Sequence, residues 1–175
     1  MIFLDESGFM LQPLRRKTWA PTGQTPIQHP WQRHDRLSVM CALTVAPWAQ
    51  RFGLYYELLD HNCHAEDFVR FIRVLHRHLG RTMLLIWDRL NAHRTAANQL
   101  AQAGCAWVEP RWLPGYAPEL DPVEFVWTQA KYADLANWIP QDIDDVRTQL
   151  TQVLEQYRHD PNRLYSFFRN AGLPI

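Results

Sequence analysis

An unbroken apolar run at residues 82–87 (TMLLIW) is the feature that most constrains how this chain of 175 residues folds. A strand with no polar alternation must be covered on both faces, which is typical of sheets with helices above and below them. The preceding segment, Ala65–Leu79, predicts one such helix, because its apolar residues recur at helical spacing and Gly80 follows it. The sequence therefore predicts a buried strand that ends at Asp88.

The remaining segments predict strands first and then alternating helices and strands. We expect an opening strand at 2–5, a loop-like stretch at 8–36 with a brief strand at 17–20, a β-hairpin at 37–45 and 51–59, a helix at 95–103, a strand at 105–113, and helices at 121–137, 142–158 and 162–170. This order predicts an α/β fold in which a mixed sheet carries helices on both faces.

The charge balance excludes one class of nucleic-acid protein. Eighteen Lys and Arg residues balance eighteen Asp and Glu residues, and the isoelectric point is near 7.1. A neutral total argues against a small basic module of the homeodomain or zinc-finger kind. Lysine stands only at positions 17 and 131, and all other cations are arginine, which suits forked contacts with phosphate. A nucleic-acid enzyme with separate basic and acidic surfaces stays compatible with this composition.

Cysteine usage and hydropathy indicate the compartment. The three cysteines (Cys41, Cys63 and Cys105) are odd in number and unpatterned, which favours a reducing, cytoplasmic environment. The first residues do not form a signal peptide, and no segment approaches the length of a membrane span. We therefore expect no membrane partner.

Three carboxylates stand where an α/β fold can bring them together. We expect Asp5 at the end of the first strand, Asp88 at the end of the buried strand and Glu124 in the first turn of a helix. Strand ends border the usual ligand crevice of such sheets, and hard carboxylate oxygens suit Mg²⁺. Each acid also has a structural explanation. Asp5 can cap the turn that follows it, and Asp88 can be the polar residue that ends an apolar strand. Asp121 and Glu124 fit the N-cap and N3 positions of a helix.

Three ordered blocks decide between these explanations. They are DESGF at 5–9 with RKTWAPTGQ at 16–24, IWDRLNAHR at 86–94, and LPGYAPELDPVEFVW at 113–127. Together they resemble the signature blocks of the DDE catalytic domain of mariner-like transposases, in the bacterial insertion-sequence branch of the DDE superfamily endonucleases. The resemblance runs over about 2–137.

The resemblance implies a ribonuclease H-like fold with a mixed five-stranded sheet, and a site in which Asp5, Asp88 and Glu124 hold two Mg²⁺ ions, for which Mn²⁺ substitutes. It implies cleavage of DNA at transposon ends and transfer of the 3′-hydroxyl to target DNA, by a homodimer located at the bacterial nucleoid. We assign residues 1–140 to this catalytic domain and 141–175 to a C-terminal helical extension of it.

The chain departs from the family pattern in three respects. Asp121 stands where the family often has Asn, and Gly115 stands where it often has Pro. The N-terminal helix-turn-helix modules that recognise transposon ends have no counterpart in this sequence. A catalytic fragment, one product of a split reading frame with a separate helix-turn-helix polypeptide, and a decayed copy are all compatible with this.

Polar residues beside these acids are candidate DNA contacts. They are Arg15, Arg16, Lys17, Asn91, His93 and Arg94, and Trp19 and Trp31 are candidates for stacking on bases. The structural alternatives are a basic loop exposed to solvent and, for His93, a histidine bonded to backbone at a helix start. We also expect Asn91 and His93 to be able to orient a metal-bound water.

Two other functions stay open at this stage. One is a ribonuclease H-like nuclease acting on RNA–DNA hybrids, with Glu57 or Asp60 as a fourth carboxylate. The other is an inactive transposase remnant that serves as an interaction module, against which the presence of all three acids argues.

Overall fold

The computed structural model describes residues 1–12, 14–27, 35–46, 48 and 51–173. Their centre is a five-stranded mixed sheet in the order β3-β2-β1-β4-β5. The strands are β1 (Ile2–Met10), β2 (Arg36–Ala46), β3 (Arg51–Leu59), β4 (Met83–Trp87) and β5 (Val108–Trp112). The helices are α1 (Ala65–Leu79), α2 (Asn91–Gln102), α3 (Pro122–Gln129), α4 (Ile143–Arg158) and α5 (Pro161–Asn170).

The sheet is antiparallel on one side of β1 and parallel on the other. β1 pairs with β2 along its whole length, and β2 pairs with β3 as the predicted hairpin. β1 pairs with β4 in parallel, with Ile2 opposite Leu85 and Phe3 opposite Ile86. β4 in turn pairs in parallel with β5. The central strands thus connect an antiparallel half to a parallel half, as the predicted mixed sheet requires.

Helices cover both faces of the sheet, and strand alternation divides the core between them. Ile2 and Leu4 belong to the cluster formed with α1 and α2, whereas Phe3 and Phe9 belong to the cluster formed with α3, α4 and α5. We call these two sides the α1 face and the α3 face. Neighbouring residues of β1 therefore reach chemically separate environments.

The segment around the buried strand folds as predicted. α1 spans Ala65–Leu79, and Gly80 ends it in the left-handed conformation with φ 61°, which glycine adopts without strain. β4 begins one residue after the predicted start and ends at Trp87, directly before Asp88. These elements are set by local periodicity and by an unambiguous C-cap.

The first strand is longer than the predicted 2–5, and Asp5 lies within it rather than at its end. Nine residues of β1 pair with β2, so strand structure continues to Met10 through a stretch that composition marks as loop. The Arg36 side chain lies over Gly8, where a Cβ would be 2.5 Å from its Nε. Pairing with a partner strand overrides the local loop signal.

Other boundaries also differ from the predictions. No strand forms at 17–20, and those residues are exposed. α2 begins four residues earlier than the predicted 95, because the Asp88 carboxylate accepts a hydrogen bond from the Leu90 backbone and turns the chain into the helix. β5 is shorter than 105–113, and the helix predicted at 121–137 is α3 followed by a π-helical turn at Ala130–Asp134. Trp31 lies outside the described residues.

No helix among the described residues has both the length and the apolar character needed to cross a lipid bilayer.

Replacement of Phe168 tests the cooperation of the last helices with the sheet. Phe168 of α5 is fully buried, and its ring lies 5.8 Å from that of Phe3 and 5.5 Å from that of Phe52. We propose that 141–175 extends the domain at 1–140, so Phe168→Ala should lower the free energy of unfolding of the whole chain by about 3–5 kcal/mol in one denaturant transition. The exposed Gln156→Ala on α4 is the control. A separate early transition for the helices would contradict this.

Candidate active site

Parallel pairing of β1 and β4 brings together the strands of two of the three acids. Phe3 lies opposite Ile86, and each acid lies two residues further along its segment, Asp5 within β1 and Asp88 directly after β4. Adjacent strands are about 4.8 Å apart, so we expect the two acids to lie near each other. Asp5 has the strand parity of Phe3 and Phe9, which assigns its side chain to the α3 face.

Asp5 is held by a tryptophan from α3. Nε1 of Trp127 donates a hydrogen bond of 2.8 Å to Oδ2 of Asp5. Burial is the main cause of a pKa of Asp5 well above its usual value, and the negative charges of Asp121, Glu6 and Glu124 raise it further. The Trp127 bond acts in the opposite direction but does not offset them. Asp5 is therefore a positioned carboxyl group in an electrostatically crowded place.

Asp88 is bound to a buried histidine. Oδ1 of Asp88 lies 2.6 Å from Nδ1 of His93, and Nε2 of His93 lies 3.0 Å from Oε2 of Glu6. The hydrogen bond from His93 is the main reason that the pKa of Asp88 lies below its usual value. Burial lowers the pKa of His93, but its bonds to Asp88 and Glu6 outweigh burial and raise that pKa to about 9. His93 thus favours the ionised form of Asp88.

Glu124 enters the site from the first turn of α3. The helix begins as the sequence predicts: the Asp121 carboxylate accepts the Val123 backbone N–H at 2.9 Å, and Pro122 follows the cap. The cap is made by Asp121, so it does not engage the Glu124 side chain. Burial raises the pKa of Glu124 and Lys131 lowers it, while Asp88 and Glu6 raise it again.

Asp121 is an unusual N-cap because it is nearly fully buried beside other acids. Burial, with smaller contributions from Glu124 and Asp88, raises its pKa to about 7, although the Val123 N–H opposes this change. At an ordinary exposed N-cap, neither burial nor neighbouring acids oppose ionisation of the capping carboxylate. The carboxylate therefore stabilises the start of α3 and at the same time adds negative charge to the acid group.

A lysine lies among these acids. Nζ of Lys131, in the π-helical turn after α3, donates 2.6 Å to the Ser7 hydroxyl and lies 5.1 Å from the centre of the Phe9 ring. Burial lowers the pKa of Lys131, whereas Glu124 and Asp5 raise it. Lys131 therefore provides positive charge on the α3 face, as His93 does on the α1 face.

The chemistry of the acids fits a divalent cation. Their hard oxygens are those that Mg²⁺ prefers. Burial, and after it the charge of neighbouring acids, raises the pKa of Asp5 and of Glu124, and a nearby cation would favour their ionised forms. Across the described ranges of the chain, no set of three or more His, Cys, Asp or Glu side chains already stands in a metal-binding arrangement. The acids therefore interact electrostatically with one another, but they do not already form a coordination shell.

The predicted DNA contacts of the polar loop lie on the surface. Arg15, Arg16 and Lys17 are exposed, as is Trp19. Arg16 is anchored to the chain that follows α3, because its backbone N–H donates 2.7 Å to Asn137 and its guanidinium donates 2.8 Å to the carbonyl of Tyr132. The loop is therefore tied to the segment that carries Lys131, with Arg15 and Lys17 accessible to a ligand.

The three predicted contacts on α2 have different environments. Asn91 and Arg94 are exposed in the first turn of the helix. His93 is fully buried, and both of its ring nitrogens face carboxylates. The structure therefore does not support a DNA contact through His93, and its partners are side chains rather than the backbone.

The acids considered for a hybrid-cleaving nuclease lie elsewhere. Glu57 accepts a hydrogen bond of 2.8 Å from Arg70 of α1, and Asp60 forms an ion pair with Arg147 of α4. Both carboxylates are engaged in these ion pairs, and no fourth acid from this segment joins Asp5, Asp88 and Glu124.

Sequence reasoning assigned no role to Glu6, Trp127 or Lys131. The signals for them are present. Alternation along β1 sends Glu6 to the face opposite Asp5, and Trp127 and Lys131 follow Glu124 by three and seven residues, which is one face of a helix. The sequence did not predict that α2 begins early enough to bring His93 to Glu6.

Comparisons with known proteins agree with this geometry. A family model described as DDE superfamily endonuclease matches residues 1–147. No curated protein matches the chain. Two similar solved structures are the Mos1 strand transfer complex and the Mos1 mariner paired end complex with Mn, each with 20% sequence identity, a TM-score of 0.68 and coverage of 98% of this chain. These similarities confirm the predicted ribonuclease H-like fold.

The matched structures are longer than this chain. It covers 50% of the chain in the strand transfer complex and 51% in the complex with Mn, so it spans about half their length.

Replacement of Asp121 by Asn tests the electrostatic crowding. In unfolded protein Asp121 ionises near 3.8, whereas in folded protein its pKa is about 7, so the native state binds more protons between these values. The free energy of unfolding must then fall as pH rises through this window. Asn retains the cap but cannot ionise, so between pH 5 and pH 8 Asp121→Asn should gain about 1–3 kcal/mol relative to the original chain.

The measurement is denaturant unfolding in EDTA at several pH values. The matched control is Asp142→Asn, which makes the same change at the exposed N-cap of α4. Parallel pH profiles of the original chain and of Asp121→Asn would contradict the account.

Proposed function

The chain belongs to the DDE superfamily endonuclease family, and we propose that it is the catalytic domain of a DNA transposase that cleaves DNA strands and transfers them. The observation that carries this proposal is the parallel pairing of β1, which holds Asp5, with β4, which Asp88 directly follows. Glu124 interacts electrostatically with both acids. Family membership supports the endonuclease activity, and similarity to Mos1 complexes supports transposition as its use.

We propose that Asp5, Asp88 and Glu124 hold two Mg²⁺ ions, for which Mn²⁺ substitutes. Solved Mos1 complexes include forms with Mg and with Mn, which supports this assignment. When bound, such cations activate an attacking oxygen and neutralise charge on the phosphate. Trp127 orients Asp5 for this role, and His93 keeps Asp88 ionised.

The proposed reaction has two steps, and in each of them one phosphorus–oxygen bond forms and another breaks. In cleavage, the oxygen of water attacks a phosphodiester phosphorus, the bond to the 3′ oxygen breaks, and a 3′-hydroxyl and a 5′-phosphate result. In strand transfer, that 3′-hydroxyl attacks a phosphorus of target DNA and displaces a second 3′ oxygen. Neither step requires a covalent link to the protein. Lys131 lies close enough to Asp5 and Glu124 to stabilise negative charge there.

The proposed partner is DNA, as transposon ends and as target. The exposed Arg15, Lys17, Asn91 and Arg94 offer contacts to its backbone, together with Arg16. We further propose that two copies act together, and that a separate helix-turn-helix polypeptide recognises the particular DNA ends. The similar Mos1 structures include a strand transfer complex and a paired-end complex with the left transposon end, which supports DNA as the partner.

Neutral replacements of the acids test the proposed function. Asp5→Asn, Asp88→Asn and Glu124→Gln should each reduce the Mg²⁺- or Mn²⁺-dependent nicking of supercoiled plasmid at least about a hundredfold, because each removes a charged oxygen donor from the site. EDTA should abolish nicking by the original chain. Glu57→Gln is the matched control, since it removes a carboxylate of the same sheet that pairs with Arg70.

Undiminished metal-dependent nicking by Asp88→Asn or Glu124→Gln would show that the active site is misassigned. A chain that cuts RNA–DNA hybrids but not DNA would instead favour the hybrid-specific nuclease, and a folded chain with neither activity would favour the inactive remnant.

A further inference from the structure

A histidine between two carboxylates connects the two strands of the site. Nδ1 of His93 lies 2.6 Å from Oδ1 of Asp88, and Nε2 lies 3.0 Å from Oε2 of Glu6. Glu6 is on β1 beside Asp5, and Asp88 directly follows β4. His93 itself comes from α2, so three elements converge on one imidazole ring.

The hydrogen-bond pattern fixes the orientation of Asp88. Each ring nitrogen of His93 can donate to the carboxylate oxygen that it faces. Oδ1 of Asp88 accepts from His93 and also from the Leu90 backbone N–H at 2.9 Å. Within the described part of the chain, no hydrogen bond to Oδ2 of Asp88 occurs, which leaves this oxygen for another ligand.

Packing prevents the histidine ring from turning. The ring stacks on Trp87 with an interplanar angle of 14° and 4.8 Å between centres, and Phe68 meets it edge-on at 4.6 Å. Trp87 is itself fully buried and stacks on Trp112. A fully buried ring packed against two core side chains reorients only if it displaces them, which favours one direction for its two ring nitrogens.

We propose that Glu6 and His93 are positioning residues for Asp88: Glu6 orients His93, and His93 holds Oδ1 of Asp88 so that Oδ2 is presented to a divalent cation. This rests on the proposed role of Asp88 as a metal ligand. Neither Glu6 nor His93 contacts DNA or the cation in this arrangement. Because Glu6 and Asp5 are adjacent on β1, the chain of contacts links the positions of two proposed ligands through one rigid strand.

Mn²⁺ binding, measured by titration calorimetry on the full chain, tests this role. His93→Phe preserves an aromatic ring in contact with Trp87 and Phe68 but donates no hydrogen bond, and Glu6→Ala leaves His93 with one carboxylate partner. Both variants should weaken Mn²⁺ binding about ten- to hundredfold, as is typical for residues that orient a metal ligand. Glu6→Gln, which still accepts a hydrogen bond from Nε2, should bind Mn²⁺ with nearly the original affinity and more tightly than Glu6→Ala.

The controls separate positioning from folding and from the proposed function. His159→Phe changes an exposed histidine and should leave Mn²⁺ binding unchanged. A role in folding alone would lower the melting temperature of Glu6→Ala while leaving Mn²⁺ affinity intact well below that temperature, and this result would overturn the proposal. If His93→Phe does not fold, Glu6→Ala compared with Glu6→Gln decides the matter. Unchanged binding by Asp88→Asn would instead overturn the proposed metal site itself, and the positioning role with it.

Discussion

Parallel pairing between β1 and β4 is the interaction on which both the fold and the site depend. It joins the antiparallel half of the sheet to the parallel half, and it sets the strand that holds Asp5 beside the strand that Asp88 follows. A shift by one residue would send Asp5 and Phe3 to the other face of the sheet, away from Trp127 and α3. The same hydrogen bonds that stabilise the core therefore determine which carboxylates meet.

The acid group destabilises the protein that contains it. Burial and like charge raise the pKa values of Asp5, Asp121 and Glu124, which means that their ionised forms are disfavoured in the folded state. His93 on the α1 face and Lys131 on the α3 face offset part of this repulsion. Such crowding has no benefit for stability, and it is what a site for a divalent cation requires.

Much of this arrangement could be predicted from the sequence. Helical periodicity and Gly80 defined α1, the apolar run defined β4, and the cap signals at Asp121 and Pro122 located the start of α3 with Glu124 in its first turn. These features depend on residues close together in the chain. The three signature blocks indicated the family, and the order of elements indicated the mixed sheet.

Features that depend on distant partners could not be predicted in the same way. β1 continues past Asp5 because β2 pairs with it, and α2 begins early because Asp88 binds the Leu90 backbone. The environment of His93 follows from both, since its partners come from β1 and from the end of β4. From the sequence, His93 was a candidate for a DNA contact, for orienting a metal-bound water or for a bond to backbone, whereas in the structure it is buried and bonded to Asp88 and Glu6.

The central claim is that Asp5, Asp88 and Glu124 form one divalent-cation site, and a crystal structure of the chain soaked in Mn²⁺ tests it most directly. The account predicts anomalous scattering from two ions about 4 Å apart, with oxygens of all three carboxylates as ligands. Carboxylates that stay more than about 8 Å apart, with no Mn²⁺ between them, would contradict a site whose ions must lie that close.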